Sequence, residues 1–114
     1  MSIIRTATHT ETQVKYNIHY FNEYYAIPQG SDVKLVAQDL SIKNRILPGL
    51  YTHYKNKPYE VVTDLIDLES GQTFVLYQAL YGEKAFWLRP KDMFQELVEF
   101  EGKTVARFKY EYSS

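Results

Sequence analysis

Thr73-Phe74-Val75-Leu76-Tyr77-Gln78-Ala79-Leu80-Tyr81 is the stretch on which the fold turns. In an extended chain Phe74, Leu76 and Leu80 lie on one side, and Val75, Tyr77, Ala79 and Tyr81 on the other. Both faces are apolar, which suits only a strand covered from two directions, so this segment reads as a central strand. Moving toward the N-terminus, Glu69, Ser70 and Gly71 close a hairpin onto a long strand over residues 59–68. Asn56, Lys57 and Pro58 then turn into a strand over residues 49–55. Moving the other way, Gly82, Glu83 and Lys84 lead to a short strand over residues 85–89, which Pro90 ends because it has no N–H to donate. Residues 90–94 read as one helical turn, with Pro90 at its start and Asp92 near its positive end. Residues 95–100 and 103–110, joined by Glu101 and Gly102, form a last hairpin.

This pattern predicts a mainly β protein. Residues 49–112 form a small antiparallel SH3-like barrel with one helical turn before the last hairpin. Residues 1–48 read as an N-terminal extension packed on the barrel or on a partner. Its residues 13–21 alternate Val14, Tyr16, Ile18 and Tyr20 with polar neighbours, the pattern of a half-exposed strand. Pro28, Gln29 and Gly30 break the chain. Ser31 could then cap a helix over residues 31–42 with Val33, Val36, Ala37 and Leu40 on one stripe, while Val33, Leu35 and Ala37 fit a strand as well.

The composition narrows the function classes. The 114 residues suffice for one domain, or a small domain plus an extension, and 45% apolar with 24% charged residues is ordinary for a globular chain. Thirteen Lys and Arg against fourteen Asp and Glu leave a net charge of -1, which removes the broad basic field used by sequence-independent nucleic-acid binders. There is no cysteine, so disulfides, thiolate metal sites and a thiol nucleophile are excluded. No window resembles a membrane span, and the polar start lacks a secretory apolar stretch, so the expectation is a cytoplasmic protein without membrane contact. Eleven Tyr, six Phe and one Trp again favour strands.

Residues 49–108 carry a resemblance. Gly49, Tyr51, His53, Tyr54 and Lys55 are followed by Tyr59, Glu60 and Val61, then by Tyr77, Ala79, Leu80, Tyr81 and Gly82. Trp87, Arg89, Pro90, Met93 and Phe94 come next, and Gly102, Lys103, Arg107 and Phe108 close the series. Together they resemble a bacterial family known as domain of unknown function 1653. The resemblance implies a short bacterial domain, sometimes fused to others, with no established substrate, cofactor or catalytic residue. Two features depart from the family pattern: Ala106 stands where the family often has proline, and the leader is longer than the core domain needs.

Catalytic templates fail by subtraction. No nucleophile elbow, phosphate-binding loop, dinucleotide fingerprint or His-Glu-x-x-His is present, and His9, His19 and His53 lack ligand spacing, so neither a metal nor a cofactor is expected. Asp64 and Asp67 point to opposite faces of a strand. Glu60 and Asp64 share a face but stand about 13 Å apart, too far for a catalytic pair.

The candidate ligand-binding set is Tyr51, His53, Tyr81, Trp87, Arg89 and Arg107. Rings offer stacking area, and guanidinium forks suit a phosphate or carboxylate. The competing structural reading makes Trp87 a filler of the barrel, pairs Arg89 with Glu60 or Glu96, and uses Met93 and Phe94 as a plug at one barrel end. The favoured reading is a non-enzymatic binding module for a peptide, a nucleotide or single-stranded nucleic acid, with a peptide or small ligand ahead of long nucleic acid. An assembly protein dimerising through the N-terminal strand is an alternative. A second is a small hydrolase built on His53 and a carboxylate.

Overall fold

A computed structural model describes residues 3–34 and 42–112. The protein is mainly β. Strand β6 (Thr73–Ala79) is central, as its two apolar faces require, with β5 (Lys57–Asp67) antiparallel on one edge and β7 (Phe86–Pro90) antiparallel on the other. From β7 the ladder continues through β1 (Ile3–His9), β2 (Lys15–Tyr20) and β3 (Tyr24–Pro28), and β3 returns to β5. The six strands therefore form a closed ring. Two of its seams are parallel, Thr8 beside Trp87 in one and Tyr25 beside Ile66 in the other. Closure leaves these six strands no bare outer edge along the seams.

Every ring strand contributes to one core: Ala7, Tyr16, Ile18, Ala26, Leu65, Phe74, Leu76 and Leu88. A second core lies on the opposite face of β6, built from Ile46, Tyr51, Val61, Val75, Tyr77, Phe94 and Phe108. It is covered by β4 (Gly49–His53), by β10 (Phe108–Tyr112), which pairs with β4, and by the helical turn α1 (Lys91–Phe94). Alternate side chains of one strand thus serve two cores, Phe74 and Leu76 inward and Val75 and Tyr77 outward, each at most 2% exposed.

Several local expectations need correction. Strands β1 and β3 lie in segments with no expected strand. In β1 only Ala7 and His9 are buried, so the apolar alternation is faint. In β3 the run Tyr25-Ala26-Ile27 is buried on both sides and carries no alternation at all. The strand expected over residues 13–21 appears as β2, with Tyr16 and Ile18 buried and Val14 and Tyr20 exposed, and both of its edges are paired within the chain. Residues 31–34 are not helical, and the rest of the helix proposed over residues 31–42 falls largely outside the described residues.

The last hairpin is divided. Strands β8 (Leu97–Phe100) and β9 (Lys103–Ala106) form a separate two-stranded sheet, and β10 leaves it for β4. The Glu101-Gly102 loop between them has both φ angles positive, the condition for a tight two-residue hairpin. Arg107 transfers the chain: its N–H donates to the Glu96 carbonyl at 3.0 Å while its carbonyl accepts from the Tyr54 N–H at 3.0 Å.

A bulge in β5 explains a further difference. Val61 pairs with Tyr77 but Thr63 pairs with Leu76, so Val62 is an extra residue. Such an insertion reverses which face later side chains take. Tyr59 and Val61 serve the outer core and Leu65 the ring interior. Glu60 and Asp64 consequently lie on opposite faces rather than one. Asp64, 1% exposed, accepts from the Lys91 ammonium at 2.8 Å, the Ile46 N–H at 2.9 Å and the Arg45 guanidinium, joining the loop before β4 and the turn α1 to β5. Burial alone would raise its carboxyl, but Lys91, the Ile46 amide and Arg45 together hold it below the usual range.

Removing one partner of a buried ion pair strands the other. Asp64→Asn should therefore cost about 3 kcal/mol in urea unfolding at pH 7. A loss under about 0.5 kcal/mol, the level of an ordinary surface substitution, would mean that this network does not hold the outer core.

Candidate functional site

The outer face of the sheet gathers side chains from five strands. Register pairs Tyr110 with Tyr51 and Tyr51 with Tyr59 at one level, Phe108 with His53 at the next, and Tyr77 with Trp87 across β6 and β7. Because paired residues share a face, Tyr51, His53, Tyr59, Tyr77, Trp87, Arg89 and Phe108 all stand on one side. The rings interlock mostly edge to face: His53 to Phe108 at 5.0 Å, Tyr59 to Phe108 at 5.4 Å and Tyr77 to Phe108 at 5.4 Å. Phe94 stacks on Phe108 at 4.1 Å with the planes 5° apart. Phe94, 1% exposed, is packed within this outer core.

The six candidate residues divide between floor and rim. Tyr51 is buried, and its hydroxyl donates to the Leu47 carbonyl at 2.8 Å, so it belongs to the floor. Trp87 is half-buried against the outer core. Tyr81 is exposed, its hydroxyl bonded to that of Tyr59 and its ring 5.1 Å below the Lys57 ammonium. Arg89 donates through Nε to the Tyr77 hydroxyl at 3.1 Å and lies over the Phe108 ring at 5.7 Å. Its carboxylate neighbour is Glu11, from the turn after β1, at 3.6 Å, rather than Glu60 or Glu96. Glu96 lies instead 3.7 Å from Arg107, whose buried Nε has no hydrogen-bond acceptor among the described residues.

His53 and Arg89 both lie against the Phe108 ring, at 5.0 and 5.7 Å, and Arg107 precedes Phe108 in the chain. Burial, reinforced by the charges of Arg89, Arg107 and Lys55, holds the His53 imidazole down at about 4. Its Nδ1 accepts from the Lys55 N–H at 3.2 Å, which puts the proton of the neutral ring on Nε2. Among the described residues His53 has no carboxylate hydrogen-bond partner. Burial and the bond to Tyr81 push the Tyr59 phenol up, and burial pushes Tyr77 up against the opposing pull of Arg89.

A separate cleft of about 450 Å³ lies between the β4–β10 ladder and the β8–β9 hairpin, lined by Thr52, Tyr54, Phe100 and Lys109 among others. His53 is the one candidate residue on its wall.

Four participants, Tyr59, Tyr77, Phe108 and Glu11, were not singled out from the sequence. Tyr59 and Tyr77 share the face of Tyr51 and Trp87 by alternation, a signal that was present. Glu11 reaches Arg89 through the parallel β1–β7 seam, which local pattern cannot disclose. The low His53 value gives a direct check. Since the folded protein resists protonating this ring, its NMR signals should not titrate between pH 8 and about 5, and acidification from about pH 6.5 should lower stability. A His53 midpoint near the free value of about 6.5 would contradict the positive, dry surroundings described.

The comparisons bear on residues 49–110, which match the family model described as "Protein of unknown function (DUF1653)". A similar solved structure is the crystal structure of a protein belonging to DUF1653 from Bordetella bronchiseptica. It is 24% identical, with a TM-score of 0.59 over 65% of this chain and 96% of that one. At that identity the likeness speaks to the fold alone. No curated protein matches this chain. With more than half of its length covered by the family model, and the same architecture in a solved member, this chain belongs to the DUF1653 family.

Proposed function

We propose that this protein is a non-enzymatic binding module whose outer sheet face takes a small ligand or a peptide. The observation that carries this reading is the approach of His53 and Arg89 to one ring, Phe108, at 5.0 and 5.7 Å, with Arg107 next to Phe108 in the chain and Tyr59 and Tyr77 packed against the same ring. Tyr51 serves as floor in this reading. His53, Tyr81, Trp87, Arg89 and Arg107 form the contacting rim. A net charge of -1 favours a compact ligand over long nucleic acid, whose affinity would draw on many phosphate contacts.

The strand order β10-β4-β5-β6-β7, with α1 ahead of the last strand, supports an SH3-like reading of residues 49–112. In the same proposal residues 1–48 are a permanent part of the module, pairing with β7 and β5 and bringing Glu11 to the rim. No described helix is long and apolar enough to cross a membrane. A cytoplasmic setting is part of the proposal.

A panel of nucleotides, short peptides and short oligonucleotides, screened by thermal shift and by the fluorescence of the single tryptophan, tests the reading. A ligand present at 100 times its dissociation constant should add about 2.7 kcal/mol to folding. Amide shifts on binding should centre on His53, Tyr81, Trp87, Arg89 and Arg107. Shifts confined to Tyr54, Phe100 and Lys109 would move the site to the cleft under the β8–β9 hairpin and overturn it.

A further inference from the structure

Arg89 and Arg107 are part-buried cations whose hydrogen-bonding capacity is largely unspent. Their side chains are only 16% and 20% exposed. A guanidinium carries five N–H donors, and buried donors are normally paired. Among the described residues Arg89 spends one, on the Tyr77 hydroxyl, and Arg107 spends none, its buried Nε being left without a partner while the other free donors of the two guanidiniums are reached by water. The carboxylates beside them stop short of hydrogen bonding, Glu11 at 3.6 Å and Glu96 at 3.7 Å. Both glutamates are 49% exposed, so water screens their attraction and little binds them in place.

The surrounding charge is positive. Lys55 adds to the field at His53, and Lys57 lies over the Tyr81 ring. Among the described residues Arg89 and Arg107 thus lie beside the aromatic floor with a loosely held carboxylate next to each, and Lys57 adds a further cation at Tyr81.

From this geometry, and resting on the binding-module reading above, we propose that the rim recognises a phosphate monoester. Arg89 and Arg107 grip its oxygens while Trp87 or Tyr81 contacts the group it esterifies. Glu11 and Glu96 occupy the neighbourhood of the guanidiniums until the ligand displaces them. A carboxylate has two oxygens and one charge and matches one fork; a phosphate monoester has three terminal oxygens and nearly two charges, and so matches two. Fork geometry matters as well as charge, so lysine should not replace Arg107.

The probes are phenyl phosphate, benzoate and phenol, which share a ring and differ in charge and oxygen count. Each is titrated into the full chain at low salt while the arginine Nε–H signals and tryptophan fluorescence are followed. Phenyl phosphate should bind at least about tenfold more tightly than phenol and more tightly than benzoate, and should move the Arg89 and Arg107 Nε–H signals. Glu96→Gln should tighten phenyl phosphate several-fold. Arg107→Lys should weaken it about tenfold while leaving the thermal midpoint close to wild type, which separates recognition from folding.

Equal binding of phenol and phenyl phosphate, or binding with both arginine signals unmoved, would overturn the phosphate inference and leave the aromatic face as a binding site. Tighter binding of benzoate would replace phosphate with a carboxylate. No binding of phenyl phosphate at 10 mM, roughly the weakest range of specific recognition, would also overturn it. In that case a panel ligand that still shifts the rim amides would leave the broader reading intact.

Discussion

A strand with no polar face can be stable only where something apolar covers it twice, and most of this architecture answers that demand from β6. Phe74 and Leu76 are covered by the ring that β1, β2 and β3 complete; Val75 and Tyr77 are covered by β4, β10 and α1. Burying a large apolar side chain contributes roughly 1.5 to 3 kcal/mol, and four consecutive residues do so here in alternate directions. Leader strands and family-matched strands therefore share one wall. The bulge at Val62 lets β5 serve both cores from a single strand, and it directs Asp64 toward Arg45 and Lys91.

The rim follows from the same wall. Tyr77 projects outward because its neighbours Leu76 and Gln78 project the other way, and its hydroxyl then holds the Arg89 Nε. Phe108 brings Arg107 alongside, since the chain must leave the β8–β9 hairpin at residue 107 to pair with β4. Arg89 over the Phe108 ring and Arg107 beside Phe108 in the chain are thus consequences of how the outer core is closed. Their charges, with burial, are what make His53 so reluctant to take a proton. Glu11 reaches this region only because the leader is paired to β7.

Much of this was legible in the residues. Alternation identified β2 and β4, a run apolar on both faces identified β6, turn chemistry marked the Gly71 and Glu101-Gly102 loops, and Pro90 marked the helical turn. Tyr51, His53, Trp87 and Arg89 could be grouped by face because each lies in a strand whose phase is regular. What escaped depends on distant partners or on a single inserted residue. Strand β3 is a run buried on both sides and hence without period. Strand β1 has few inward residues, and the bulge at Val62 has no residue type that announces it. The split of the last hairpin at Arg107 is decided by which ladder offers partners, Glu96 on one side and Tyr54 on the other.

Native-state hydrogen exchange, resolved by segment, tests the central claim that β6 joins both cores into one cooperative unit. The amides of β2, in the leader, and of β6 and β4, in the family-matched region, should exchange through global unfolding with a common free energy and the same denaturant dependence. Exchange of β2 by a separate opening several kcal/mol below that of β6, with residues 49–112 still protected, would contradict the account.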